Sequence, residues 1–210
     1  MMRLTPLDAV HRALGAKMVP FGGWEMPLAY GTGTLAEHAA CRTSAAMFDV
    51  SHLGTVRVEG IGSLEKLQSA LTNDLNKIAP GKAQYTHLLD KSDASVLDDI
   101  IVWWLEKSVF DVMPNASNTD RVVAAIGGVD TTSTRAVIAV QGPEARFMVA
   151  KVSAEASAVP RFHVQGINVC GFDCVVAGTG YTGEDGIEIA VPSHGAAEVW
   201  NSLLAAGALP

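Results

Sequence analysis

Two adjacent carboxylates sit inside an apolar, strand-like run, Val96-Leu97-Asp98-Asp99-Ile100-Ile101-Val102. In a strand, successive side chains point to opposite faces, so Asp98 and Asp99 cannot share one. A carboxylate among Val, Ile and Leu costs free energy unless something pairs with it. Taken alone, the pair reads as a solvated bulge or strand end, because Asp is rarely buried without a partner. A functional reading requires other polar groups that could use one face of this strand.

The rest of the chain reads as strands and helices with short turns. Thr5 is placed to cap a first helix, with Pro6 and Asp8 in its first turn and Gly15 at its end. Val19 to Tyr30 holds two prolines and two glycines, a pattern that predicts an irregular flap. Thr34 and Glu37 form a capping-box pattern for a helix to about Ala46. Val56 and Val58 alternate with polar residues as in a strand, and Leu64, Leu67 and Leu71 give a helix from about Ser63 one apolar face.

Residues 83–90 read as a strand with Tyr85, His87 and Leu89 on one side, joined by the Ser92-Asp93 turn to the acidic-pair strand. Further strands are expected at Val109 to Met113, Arg135 to Gln141, 167–178 and 187–191. Short helices follow Asn118 and Pro143, and a last one runs from about His194 to Ala206. Hairpins with intervening helices give an α+β fold of mostly antiparallel sheets. No clean linker and no repeat interrupts residues 1–210.

Composition narrows the function. A net charge of −7 argues against a general nucleic-acid surface. No apolar stretch is long enough to span a bilayer, and the N-terminus lacks the apolar core of a signal peptide. Cys41, Cys170 and Cys174 read as reduced, small hydrophobes of a cytoplasmic protein, and the six His residues are too scattered for a zinc site, so no metal is expected.

Polar clusters fall at element ends: Asn73-Asp74, Tyr85 with Asp99, Asn115, and the loop Gly178-Thr179-Gly180-Tyr181-Thr182-Gly183-Glu184-Asp185-Gly186 leading to Glu188. That loop lacks the Lys-Ser/Thr of a P-loop and precedes a strand, so it is not a phosphate cradle. Its four glycines read as a tight loop with positive φ angles. Ser51-His52 are neighbours in sequence, which does not make a nucleophile and its base. What remains is a carboxylate-and-amide set, Asp99, Asn115 and Glu188 with Tyr85 and Tyr181. It suits a flat heterocycle with an amidine-like edge, such as a pterin or a purine.

Several stretches together resemble the T-protein of the glycine cleavage system, the tetrahydrofolate-dependent aminomethyltransferase. They are Gly22-Gly23-Trp24-Glu25-Met26-Pro27, Met47-Phe48-Asp49-Val50-Ser51-His52, Thr72-Asn73-Asp74, Gly81-Lys82-Ala83-Gln84-Tyr85, Leu97-Asp98-Asp99, Gln141-Gly142-Pro143 and Gly180-Tyr181-Thr182-Gly183-Glu184-Asp185-Gly186. The resemblance covers essentially the whole chain, in the family's order and spacing. It implies two interwoven subdomains around a folate pocket. The implied reaction moves the methylene of an aminomethyl group on the lipoyl arm of H-protein to tetrahydrofolate, the co-substrate. Asp99 would be the catalytic acid beside N5 and N10. Glu188 would hold the amidine-like edge of the pterin, Asn115 and Tyr85 would complete its pocket, and Tyr181 and Leu53 would line the wall.

The family also implies a C-terminal β-barrel-like domain beyond residue 210 that helps close the folate channel. Three departures stand out. Ala94-Ser95 replaces the usual Gly-Gly before the acid pair, Leu53 stands where Met is common, and Pro114 precedes Asn115 where a β-branched residue is common. Two other readings belong beside the transferase. One is a related folate-dependent demethylase, which usually carries a flavin domain ahead of the folate region. The other is a non-catalytic folate-binding protein like the family's iron–sulfur-maintenance relatives, whose Lys-Gly-Cys and Gly-Gln-Glu motifs are missing here.

Overall fold

The computed structural model describes residues 2–210. The chain divides into two compact units that alternate along the sequence: Met1–Ser51, Ser133–Arg161 and Gln165–Pro210 form the first, His52–Thr132 with Phe162–Val164 the second. The α+β expectation holds.

The first unit opens with β1 (Arg3–Leu4), α1 (Asp8–Ala13), β2 (Lys17–Phe21), β3 (Trp24–Ala29), α2 (Thr34–Thr43) and β4 (Ala46–Asp49). The second contains β5 (Val56–Glu59), α3 (Ser63–Ala70), β6 (Lys82–Leu89), β7 (Val96–Glu106), β8 (Val109–Met113), α4 (Thr119–Ile126) and β9 (Val129–Asp130). The chain then returns to the first unit with β10 (Arg135–Gln141), α5 (Ala145–Ala150), α6 (Ala154–Ser157), β11 (Val164–Val169), β12 (Phe172–Ala177), β13 (Gly186–Pro192) and α7 (Ala196–Ala206).

In the first unit a five-stranded sheet runs β11-β12-β13-β10-β4. Every residue of β10 is buried, as its near-continuous apolar run dictates. Ile138 and Val140 pack with Ile187, Ile189 and, from α7, Val199, Trp200 and Leu203. A small sheet, β1-β3-β2, completes the unit. In the second unit the sheet order is β6-β7-β8-β5-β9. One face of it, with Val56, Leu88, Ile100, Val102, Phe110 and Val112, buries the apolar sides of α3 and α4 through Leu67, Val122 and Ile126. Residues 162–164 add to the β6 edge, where Ala83 N donates to Phe162 O and Val164 N to Gly81 O.

Several local expectations are corrected. Val19 to Tyr30 is not a flap. It is mostly the β2–β3 hairpin, turned by Gly22 and Gly23 at φ 56° and 84°. Pro20 is tolerated because β2 is an edge strand, and Pro27 lies opposite Met18, where the register shifts. Thr5 does not cap α1 at its first turn. Its hydroxyl donates to the Asp49 carboxylate at 2.6 Å, and α1 begins only at Asp8. Thr34 and Glu37 form no capping box: Gly33 precedes α2, and Glu37 accepts from Tyr30 N at 2.6 Å. The helix stops at Thr43 because Ala46 to Asp49 is claimed by the sheet. Residues 167–178 are a hairpin, not one strand, with Cys170 and Gly171 both at positive φ. The three cysteines are free thiols.

Asp49 explains why Thr5 is diverted. It is almost wholly buried and accepts from Thr5, from His11 Nε2 at 2.9 Å and from Ser51 N at 2.9 Å. Burial alone would raise its pKa, but the hydrogen bonds from His11, Ser51 and Thr5 outweigh that and hold it below the usual value. A buried acceptor that needs three donors recruits a hydroxyl more strongly than an exposed helix end does.

The turn before β7 carries the consequence of Ala94-Ser95. Ala94 N donates to Asp90 O at 3.0 Å, and Ala94 adopts φ 59°, a left-handed conformation that strains a residue with a Cβ. Ala94→Gly is therefore expected to raise the unfolding free energy by about 1 kcal/mol, the left-handed penalty less glycine's extra unfolded-state freedom. Urea unfolding of the two proteins checks the sign.

Candidate active site

Strand alternation assigns the two carboxylates as argued from sequence. Asp98 is buried at 3% exposure and Asp99 is exposed. Asp98 is not solvated at a strand end: it accepts from Asn115 N at 3.1 Å, Asn115 Nδ2 at 2.8 Å and Asn118 Nδ2 at 2.8 Å. These bonds meet the cost of burying a charge with donors from the turn after β8.

The same Asn115 amide reaches the neighbouring acid. Its Nδ2 lies 2.9 Å from Asp99 Oδ1 and 3.1 Å from Asp99 O. From β6, Tyr85 donates its hydroxyl to Asp99 Oδ2 at 3.3 Å. Asn73 Nδ2 donates to the Tyr85 carbonyl at 2.5 Å. His87 is the register partner of Asp99, and its ring lies edge-on to Tyr85 with centroids 5.0 Å apart. Asp99 and partial desolvation both push the Tyr85 phenol up from its ordinary pKa, desolvation first.

Tyr85, Asp99 and Asn115 are thus brought together on one face of the second unit. Leu53 lies in the same unit and is buried. Pro114 does not dislodge Asn115. The proline has no N–H to give, its carbonyl accepts from Gly54 N at 2.9 Å, and the next N–H goes to Asp98.

Glu188 and Tyr181 belong to the first unit. Glu188 sits on β13 between two small register partners, Ala139 on β10 and Ala177 on β12. It is 2% exposed and accepts a very short hydrogen bond from the Thr179 hydroxyl. Burial raises its pKa to about 7, against the opposing effects of Thr179 and the nearby Arg135 guanidinium. Near neutrality the carboxyl is therefore poised between its acid and its carboxylate, the condition in which a ligand's charge or donors decide its state. Tyr181 stands half exposed on the loop before β13.

That loop is tight for a reason other than the expected one. Of its four glycines only Gly183 has a positive φ, of 80°. Gly178 lies against the Pro160 carbonyl, and Gly180 and Gly186 lie against the side-chain amide of Gln141, leaving no room for a Cβ. Sequence reasoning missed Asp98 as the holder of Asn115 and Thr179 as the partner of Glu188. Asn118, three residues after Asn115, was the available signal for the first. For the second the signal was a hydroxyl at the foot of the loop.

A buried acid that holds an amide beside an exposed acid, with a phenol on the neighbouring strand, makes an acceptor-rich polar cluster in the second unit. The GCVT N-terminal domain family model matches residues 7–209, and the chain belongs to that family. The aminomethyltransferase of Nitrosomonas europaea is 42% identical over 221 residues, covering 100% of this chain and 60% of that protein. That of Chlorobaculum parvum is 41% identical over 218 residues, covering 98% and 59%.

Among solved structures, the glycine cleavage system aminomethyltransferase T from Bartonella henselae superposes with a TM-score of 0.86 at 33% identity, over 97% of this chain and 57% of that one. A chain of the heterotetrameric sarcosine oxidase from Corynebacterium sp. U-96 matches at a TM-score of 0.59 and 12% identity, over 97% and 94%, a likeness of fold alone. The chain spans about three-fifths of the length of the curated relatives it matches.

Because Glu188 keeps its proton to higher pH when folded than when unfolded, its effect on stability has a definite sign. Below the unfolded value of 4.5 both states are protonated, and between there and about 7 the unfolded state alone releases its proton. The wild type should lose stability relative to Glu188→Gln as pH rises through that window, by about 3 kcal/mol in total. Paired urea titrations at pH 4.5 and 7.5 read this; parallel pH dependence in the two proteins would contradict it.

Proposed function

We propose that this chain is the tetrahydrofolate-binding part of an aminomethyltransferase of the glycine cleavage system. The observation that carries this reading is the convergence of Tyr85, Asn115 and an exposed Asp99, with Asp99 oriented by the Asn115 amide and the Tyr85 hydroxyl while the buried Asp98 holds the same amide in place. The names of the similar proteins support it.

In the proposed reaction, tetrahydrofolate N5 attacks the methylene carbon of the aminomethyl group carried on the lipoyl sulfur of H-protein, and N10 closes the bridge. The C–N bond to ammonia and the C–S bond to the lipoyl arm break. The protons released from N5 and N10 go to ammonia and to the lipoyl thiol. Asp99 orients the folate and stabilises the positive charge that develops at nitrogen, a role that contributes typically about 10²–10⁴-fold when proton transfer is included. Asn115 has both N–H bonds engaged by acids, so it offers its carbonyl oxygen to a pterin donor. Tyr85 keeps the Asp99 carboxylate oriented, and Leu53 supplies an apolar wall.

Glu188 binds the amidine-like edge of the pterin in its ionised form, with two N–H donors in place of the solvent it lacks. Tyr181 offers a ring surface for the same ligand. Holding two bulky substrates in register contributes more than any single proton transfer. The demethylase and non-catalytic readings have no residue in this site that favours them.

Two substitutions test the roles. Asp99→Asn is expected to retain tetrahydrofolate affinity and to slow transfer from aminomethylated H-protein by about 10²-fold or more. Unchanged turnover would remove Asp99 from the chemistry. Glu188→Ala is expected to weaken tetrahydrofolate binding by about 1.5–3 kcal/mol, read by calorimetry. Unchanged affinity would mean that the pterin edge is held elsewhere.

A further inference from the structure

Gln141 ends β10 with no exposed surface, yet it carries a polar side chain into the apolar first unit. Its amide is fully used. Nε2 donates to the Thr179 carbonyl at 3.1 Å, and Oε1 accepts from the Thr182 hydroxyl at 2.9 Å. Thr182 Oγ1 in turn accepts from Glu184 N at 3.2 Å. Gly180 and Gly186 both close on the same amide, so a methyl at either position would collide with it. Only an amide of this length supplies a donor to Thr179 near the start of the loop and an acceptor to Thr182 at its middle; a carboxylate cannot donate to the carbonyl, and Leu offers neither.

What this amide fixes is functional in the reading above. Thr179, whose carbonyl it holds, gives its hydroxyl to Glu188, and Tyr181 lies between the two anchored residues. Arg42 and Arg146 also hold the loop, through Thr182 O at 2.8 Å and through Asp185, both from partly exposed positions. Gln141 is the buried anchor.

We propose that Gln141 is a positioning residue for tetrahydrofolate, its buried amide holding the Gly178–Gly186 loop so that the Tyr181 ring and the Thr179–Glu188 pair are preset for the pterin. This rests on the folate reading. A side chain preset by buried hydrogen bonds lowers the ordering cost of binding, and losing it appears in affinity rather than in the chemical step.

The test is steady-state transfer from aminomethylated H-protein by Gln141→Leu and Thr182→Val, with tetrahydrofolate varied and thermal unfolding recorded alongside. Gln141→Leu is expected to raise the KM for tetrahydrofolate about tenfold with kcat within about twofold, and Thr182→Val to raise KM about threefold. Thr182→Val keeps the shape of a half-buried residue and decides the matter if Gln141→Leu does not fold. A lower kcat at unchanged KM, which a merely structural role would give through a smaller folded fraction, overturns the assignment. So does an unchanged KM in folded variants. Absence of tetrahydrofolate binding by the wild-type protein in calorimetry removes the folate reading itself, and this assignment with it.

Discussion

A carboxylate removed from water must be met by donors or give up its charge, and Asp98 is met by three hydrogen bonds from two asparagines. That requirement fixes the chain after β8. Pro114 ends the strand, Asn115 turns its amide back onto β7, and Asn118 closes the ring before α4 begins. The exposed neighbour, Asp99, inherits its partners from this arrangement: the amide is in place because Asp98 needs it, and Tyr85 meets Asp99 across β6 and β7. The geometry around Asp99 in the second unit thus follows from satisfying one buried charge.

The two acids proposed to meet the ligand, one in each unit, differ in environment. Asp99 is exposed and takes hydrogen bonds from a phenol and an amide. Glu188 is buried with one hydroxyl partner, and its pKa is pushed to about 7. Carboxylates placed in such contrasting surroundings serve different purposes. In the proposed function the first answers developing positive charge, and the second accepts the paired N–H donors of the pterin. Buried acids of the Asp49 kind do neither; with His11, Thr5 and Ser51 attached, Asp49 ties α1 and β4 into the first unit.

Much of this was legible in the sequence because it depends on local chemistry. The Ser92-Asp93 turn, the alternation through Asp98 and Asp99, the buried run at β10 and the apolar face of α7 all follow from spacing. What was not legible depended on partners far along the chain. Thr5 and Glu37 carry capping signals but are taken by Asp49 and by Tyr30 N. Two prolines read as breakers are accommodated by a sheet edge and a register shift. The glycines of the 178–186 loop read as conformational, yet three of them are there for close approach, to Pro160 and to Gln141. Tyr85, Asp99 and Asn115 could be grouped as polar residues at element ends, and the family resemblance then gave them roles. The buried acid and amides that set their geometry were missed, because Asp98 reads like a solvated acid unless Asn115 and Asn118, three residues apart, are placed against it.

The division of labour between neighbouring acids is tested most directly by comparing the unfolding free energies of Asp98→Ala and Asp99→Ala. Breaking the buried acid strands three donors, and a loss of about 3 kcal/mol is expected for Asp98→Ala. The exposed acid has no such debt, and Asp99→Ala should stay within about 1 kcal/mol of wild type. Equal losses, or a larger loss for Asp99→Ala, would contradict the account in which one carboxylate builds the site and the other faces its ligand.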